Sequence, residues 1–211
     1  MAVIRSLFVV THPESQHHLD GVVGGWHDSV LSDRGRTQAR AIAGELRRRI
    51  TGPAEVIASD LARTWETAEA IAAELGTAAL ADPRLREISY GIAEGREQSW
   101  LDECYVFPPA VGDRLDHDVG IDGAETRHTA GERVYAAVDE TLTRDSACQV
   151  IVTHGFAHTF VVGRWLELPL EAMGRATFAT RPGGITELRE DDAFRNRTVH
   201  SLAEVGHLGG D

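Results

Sequence analysis

Strand-like and helix-like stretches take turns along this chain, and that alternation narrows the fold more than any other feature. Val3 to Val10 is a near-continuous apolar run, the pattern of a strand covered on both faces. Ser32 and Asp33 offer caps for a helix over about 33–50, where Ala39, Ile42, Ala43 and Leu46 recur at helical spacing until Gly52-Pro53 stops it. Glu55 to Ser59 reads as a short strand. Ser59-Asp60 then caps a second helix carrying Ala62, Trp65, Ala68, Ile71, Ala72 and Leu75 and ending near Gly76. Ala78 to Ala81 suggests another strand. The pattern dissolves over 88–123, which holds Pro108-Pro109, several glycines and many acidic residues. Beyond it, Glu125 to Arg144 is helical, with Val134, Ala137, Val138 and Leu142 on one face. Gln149 to Thr153 predicts a strand and Ala157 to Leu166 a helix. Arg175 to Thr180, Ile185 to Glu190 and Thr198 to Leu202 predict late strands.

Strands alternating with amphipathic helices imply an α/β fold: a three-layer α/β/α sandwich around a mostly parallel central sheet. With 211 residues and neither repeat nor linker, residues 1–211 are expected to form a single domain. The irregular stretch 88–123 is longer than an ordinary loop. It is expected to be a lid or insertion over the active site at the carboxyl ends of the strands.

Charge and composition exclude several functions. There are 33 acidic side chains against 21 basic ones, a net charge of −12, which disfavours nucleic acid and anionic membranes as partners. All 21 basic residues are Arg. Without Lys there is no phosphate-loop lysine, no protein-kinase lysine and no Schiff base. Arg is the better residue for bidentate phosphate contacts, so phosphate chemistry survives. Cys104 and Cys148 have neither zinc nor redox spacing. No apolar run approaches the roughly 20 residues of a membrane span. The stretch Met1-Ala2-Val3-Ile4-Arg5 reads as part of a strand rather than a signal peptide, so a cytoplasmic location with reduced thiols is expected.

Three strand ends carry polar residues of related chemistry: Thr11-His12-Pro13-Glu14-Ser15, Ser59-Asp60-Leu61-Ala62-Arg63 and Thr153-His154-Gly155. The first resembles the Arg-His-Gly-Glu-Ser/Thr opening of the histidine phosphatase superfamily, the group that includes cofactor-dependent phosphoglycerate mutases. Gly25-Trp26-His27-Asp28, followed by Leu31-Ser32-Asp33-Arg34-Gly35 and Gln38-Ala39, is similar to the family's next block. Ser59 to Ala68 is similar to its Ser-x-Leu-x-Arg-x-x-x-Thr-Ala block. Leu85 to Gly91, with Glu94-Gly95, resembles the block bearing its acid, and Val150 to Gly155 the block bearing its second histidine. The five matches run in order over nearly the whole chain.

The resemblance implies a metal-independent phosphomonoesterase of the histidine acid phosphatase type, needing no cofactor and acting on a small phosphorylated metabolite. His12 would be the nucleophile that forms a phosphohistidine. Arg63 would hold the phosphate as a guanidinium fork. His154 would donate to the transferring group. Glu87 would protonate the leaving oxygen and then activate water. Thr11, Ser15, His18 and Tyr90 complete the expected substrate-binding set. Glu87 lies among Arg84, Arg86 and Glu94, so an exposed ion pair competes with its acid role. Favouring the helix dipole is a sufficient explanation for Glu125. Trp65 and Trp165 are most simply core aromatics.

Two departures stand out. Thr11 replaces the family's Arg, and losing one preorganised donor costs on the order of 10²–10³ in rate. Pro13 replaces Gly and removes a backbone donor. His17 and His18 follow closely; His18 falls where mutases carry an Asn, and a phosphate dianion would raise its pKa and recover charge. Mutases also hold a second phosphate through a Lys and an adjacent Arg pair in the insertion. Here 88–123 contains only Arg96 and Arg114, and Phe156 follows Gly155 where mutases carry Asn. These differences favour hydrolysis, with Trp100, Tyr105, Phe107 and Phe156 giving the pocket apolar character. Three alternatives stay open: a phosphoglycerate-mutase-type isomerase, a pseudophosphatase disabled by Thr11, and a metal hydrolase using His12, His17, His18, His154 and His158. A homodimer stays open as well.

Overall fold

A computed structural model describes residues 3–209; Met1, Ala2, Gly210 and Asp211 lie outside the described residues. Six strands form one sheet: β1 (Val3–Thr11), β2 (Glu55–Ala58), β3 (Ala79–Ala81), β4 (Cys148–Thr153), β5 (Ile185–Asp191) and β6 (Arg197–Glu204), in the order β3-β2-β4-β1-β5-β6. The pairs β2–β3, β2–β4 and β1–β4 are parallel; β5 runs antiparallel to both β1 and β6. The helices are α1 (Gln16–Asp20), α2 (Asp33–Arg49), α3 (Ala62–Leu75), α4 (Gln98–Cys104), α5 (Arg127–Thr143) and α6 (Gly155–Trp165). Among the described residues no helix is long and apolar enough to cross a membrane.

Successive side chains of a strand point to opposite faces, so each central strand feeds two cores. Leu7 and Val9 of β1 join Ile151 of β4 against Val134, Val138, Phe160 and Trp165 of α5 and α6. Phe8 and Val10 join Val150 and Val152 against Ile42, Leu46 and Ile71 of α2 and α3. Each such side chain, fully buried, contributes about 1.5–3 kcal/mol. The expected sandwich is therefore present. Trp165 is fully buried, and Trp65 is partly buried against the α2–α3 core.

Three local expectations fail. Arg175 to Thr180 is not a strand; it follows a 3₁₀ turn over Leu170–Gly174. No place in the sheet is open to it beside β1, because β4 and β5 occupy both of that strand's edges. The 88–123 stretch is not wholly irregular: it contains α4, and Leu101, Ala93 and Ile121 pack with Val23 in a small core of their own. Bridges from Val22 to Glu97 and from Tyr90 to Ala124 tie it down. Asp60 does not cap α3. It forms a bidentate pair with Arg86, with both contacts at 2.6 Å, and Asp28 Oδ1 instead accepts the Ala62 amide at 2.7 Å.

Gly35, in the first turn of α2, sits against the loop that follows His12. A Cβ there would lie 1.9 Å from the Glu14 carbonyl oxygen, a backbone atom held in place by the Ser32 amide at 3.2 Å. Gly35→Ala is expected to cost about 1–3 kcal/mol through overpacking, against the helix preference for Ala. Calorimetry should show a melting temperature several degrees lower; an unchanged or raised value would contradict the close approach.

Candidate active site

Parallel pairing brings the predicted residues together. Thr11 and Thr153 are register partners at the carboxyl ends of β1 and β4, so His12 and His154 emerge side by side. Ala58 pairs with Val152, which sets Ser59 next to them. The rings of His12 and His154 meet edge-on at 5.2 Å. Arg63 enters from the first turn of α3. A cleft of about 300 Å³ opens there, lined by His12, Arg63 and Glu87 together with His18, Tyr90 and Arg181. His154 is fully buried behind it.

The hydrogen bonds of His12 fix its tautomer. Nδ1 lies 2.8 Å from the Pro13 carbonyl, which can only accept, so Nδ1 carries the hydrogen. The lone pair is then on Nε2, where it accepts from Arg63 Nε at 3.2 Å. Burial first, and the Arg63 charge second, hold the ring's pKa well below 6.5, so it stays neutral. The replacement of Gly by Pro at 13 leaves intact the carbonyl that orients the His12 ring.

Arg63 is almost wholly buried. Its Nη1 donates to the His27 carbonyl at 2.8 Å and its Nη2 to the Gly25 carbonyl at 2.6 Å. These neutral acceptors steer the guanidinium without cancelling its charge. Burial pushes its pKa down to about 10, against the pull of Glu87, Asp28 and Glu94, and it remains a cation at neutral pH. In a chain of net charge −12, this makes a local positive site facing neutral histidines.

Glu87 does not join an exposed ion pair. Arg84 binds Asp82 and Glu140, and Arg86 binds Asp60. The Glu87 carboxylate sits at the N-terminus of α6 and accepts from the Phe156 amide at 2.9 Å, the Ala157 amide at 3.0 Å and its neighbour Ile88 at 2.9 Å. Those donors favour the charged form, but burial outweighs them and raises its pKa above the ordinary 4.5. Its backbone is clamped as well. Its carbonyl accepts from Trp26 Nε1 at 2.7 Å and from Arg133 Nη2 at 2.6 Å, and Arg133 is fixed by Glu125 at 2.7 Å. Glu125 thus does more than face a helix dipole. Nothing in the sequence pointed to Arg133, because its partners are distant backbone carbonyls.

The remaining predicted residues divide into cleft-lining and supporting groups. Ser15 is fully buried, with Oγ 3.0 Å from His17 Nδ1 and 3.2 Å from His18 Nδ1. The Thr11 hydroxyl donates to the Arg181 carbonyl at 2.5 Å. Tyr90 lines the cleft, its hydroxyl pKa raised by burial and by Glu87. The ring of His18 stacks on that of His12 at 5.6 Å; its pKa is lowered by burial and by Arg63. His17 lies between the Ser15 and Ser29 hydroxyls, its pKa pushed down by burial to about 3, so it stays neutral near neutral pH. His154 Nε2 lies 2.8 Å from Ser59 Oγ, while its buried Nδ1 has no partner. His158 turns away to Thr186 at 2.8 Å, and among the described residues no three His, Cys, Asp or Glu side chains are arranged to hold a metal ion.

The sequence offered no adjacent Arg pair in the insertion, yet folding brings two arginines to one cavity. Arg114 and Arg127 line a cavity of about 80 Å³ beside Tyr90, with Tyr105 and Phe156. Trp100 and Phe107 do not line it. Arg127 lies over the Phe156 ring at 4.9 Å, and its buried Nε has no partner.

Known proteins are similar to this chain in sequence and fold. Residues 7–200 match the model of the histidine phosphatase superfamily, branch 1. The probable phosphoglycerate mutase GpmB of Enterobacter sp. (strain 638) is 34% identical over 205 residues, covering 96% of this chain and 94% of its own. Among solved structures, the open reading frame Rv3214 from Mycobacterium tuberculosis superposes with a TM-score of 0.75 at 26% identity, over 96% of this chain and 99% of that one. The mycobacterial glucosyl-3-phosphoglycerate phosphatase Rv2419c, in complex with VO3, superposes with a TM-score of 0.77 at 24% identity, over 95% of this chain and all of its own, and so shares the fold. With five motifs in order, the sheet they predict and a family model spanning most of its length, the chain belongs to the histidine phosphatase superfamily.

Proposed function

We propose that the protein is a metal-independent phosphatase that hydrolyses a small phosphomonoester through a phosphohistidine on His12. The observation that carries this reading is the state of His12: neutral, oriented by the Pro13 carbonyl, and with its Nε2 lone pair beside the Arg63 guanidinium. An ester phosphoryl group entering the cleft takes over the Arg63 Nε–H now donated to Nε2. It also meets the further hydrogens that Arg63 keeps on each terminal nitrogen. Nε2 then forms the N–P bond as the ester P–O bond breaks, and the proton of Glu87 passes to the leaving oxygen. As the ring gains positive charge, its Nδ1–H bond to Pro13 strengthens. Water next attacks phosphorus and gives a proton to the Glu87 carboxylate. The P–N bond breaks, inorganic phosphate leaves and neutral His12 returns. With the Ser59 hydroxyl donating to Nε2 of His154, Nδ1 of that ring carries a hydrogen that has no partner in the resting site.

A second reading, a phosphoglycerate-mutase-type isomerase, is favoured by the names of the curated relatives and by Arg114 and Arg127 in the neighbouring cavity. A mutase needs to retain the phosphoryl group and return it to substrate. The experiment is a screen of phosphate monoesters, 3-phosphoglycerate included, with chelator present and with and without bisphosphoglycerate. Hydrolysis that survives chelation and ignores bisphosphoglycerate supports the phosphatase. Isomerisation that depends on bisphosphoglycerate establishes the mutase, and loss of activity on chelation establishes the metal hydrolase.

A further inference from the structure

Thr11 takes the place of a family arginine next to the nucleophile, and its bonds lead to another arginine. Thr11 Oγ1 donates to the Arg181 carbonyl at 2.5 Å and accepts from the Gly184 amide at 3.2 Å. Residues 181–184 form a tight turn. The Gly184 amide donates to the Arg181 carbonyl at 2.8 Å, Pro182 stands second, and Gly183 stands third with φ +73°. That is the pattern of a type II turn, which requires positive φ at its third position. The Thr11 amide donates to the Gly184 carbonyl at 3.2 Å, and the Gly183 amide bonds the carbonyls of Thr11 and His12, each at 3.1 Å. The turn is therefore fastened to the nucleophile's own stretch of backbone.

Arg181 lines the cleft with His12, Arg63 and Glu87 and is exposed to solvent. Every other arginine holds a carboxylate, carbonyl or hydroxyl oxygen. Among the described residues, the guanidinium of Arg181 alone has no such partner, although acidic side chains abound in this chain. A cation left unpaired at the rim of an anion site is available to a ligand. Next to it, Thr180 lines the same cleft, and its buried hydroxyl has no partner either.

We propose that Arg181 is a substrate-binding residue that supplies the second guanidinium for the phosphoryl group, in place of the arginine that Thr11 replaces. Thr11 is then a positioning residue that acts through the turn. The assignment rests on the reading of this cleft as a phosphoryl site.

The test is binding of inorganic phosphate, followed by calorimetry on the purified full chain, together with kcat/KM for p-nitrophenyl phosphate. Arg181→Gln is expected to weaken phosphate binding roughly 10- to 100-fold, the size of lost charge-assisted hydrogen bonds. Its melting temperature should not change, because the turn is held by backbone atoms. Thr11→Val, which keeps the shape and removes the hydroxyl, should lose part of the same affinity. Arg195→Gln removes an exposed charge on the β5–β6 turn and should leave binding unchanged. If Arg181→Gln binds phosphate within about two-fold of wild type, the assignment is overturned. If wild type binds phosphate and Arg181→Gln does not, but neither hydrolyses any ester, the hydrolase reading fails while the assignment stands. If wild type binds no phosphate, both fall.

Discussion

His12→Ala is expected to abolish turnover of any phosphomonoester that the wild-type protein hydrolyses, with a loss on the order of 10⁴-fold or more. The size follows from the kind of contribution lost. A positioned donor offers transition-state stabilisation that neighbours partly duplicate, but a nucleophile offers a bond that nothing else in the cleft forms. His18 stacks on His12 and His17 lies nearby, yet the Arg63 Nε–H points to Nε2 of His12 and to neither of them. His154 is buried behind the cleft. None of them replaces Nε2 beside Arg63. Removing the ring also frees Arg63 Nε from its partner, His12 Nε2, so His12→Ala should still bind inorganic phosphate, and more tightly if anything. A fall in kcat with phosphate affinity kept is the expected signature. Loss of phosphate binding along with rate would point to a merely structural ring.

Glu87→Gln is the second large effect, with an expected loss of about 10²–10⁴-fold on substrates with alkoxide leaving groups. The amide keeps the shape and one accepting oxygen, which serves the Ala157 and Ile88 amides that share Oε1 but not the Phe156 amide on Oε2, so the fold should be preserved at some cost in stability. The loss should be much smaller with p-nitrophenyl phosphate, whose leaving group departs without a proton. In the proposed reaction the wild-type pH profile follows from two shifts of opposite kind. His12 is active when neutral, and its lowered pKa keeps it so well into acid. Glu87 is active first when protonated, and burial raises its pKa above the ordinary value. Activity therefore falls toward acid as His12 gains a proton and falls toward alkaline pH as Glu87 loses one. Glu87→Gln should erase the alkaline limb and leave the acid limb. Both limbs surviving unchanged would remove Glu87 from the reaction.

Much of this was legible in the chain because two strong signals agreed. Apolar runs such as Leu7 to Val10 and the spacing of Ala39, Ile42, Ala43 and Leu46 report burial directly, and burial determines which element forms. The motifs at Thr11–Ser15, Ser59–Ala68 and Val150–Gly155 lie at strand ends that parallel pairing must bring to one edge. What escaped depends on contacts between distant residues. The Arg175–Thr180 stretch carried alternation enough for a strand, but the sheet's edges beside β1 were already taken. α4 is short and mostly polar, so its periodicity was lost among prolines and acids. Arg133 acts through carbonyls of Arg84, Arg86 and Glu87 nearly fifty positions away, and Arg127 meets Arg114 only after α5 docks. Thr11 looked like a lost donor in the sequence. In the fold its hydroxyl is committed to a turn that presents another arginine.

The most direct test is to capture the protein during turnover of a phosphomonoester, quench it in alkali, where phosphohistidine survives, and map the modified peptide by mass spectrometry. One phosphoryl group on the His12 imidazole, bonded through Nε2 and absent from His12→Ala, is the expected result. A protein that turns over substrate with no phosphoryl group on His12, or with one on another side chain, would contradict it.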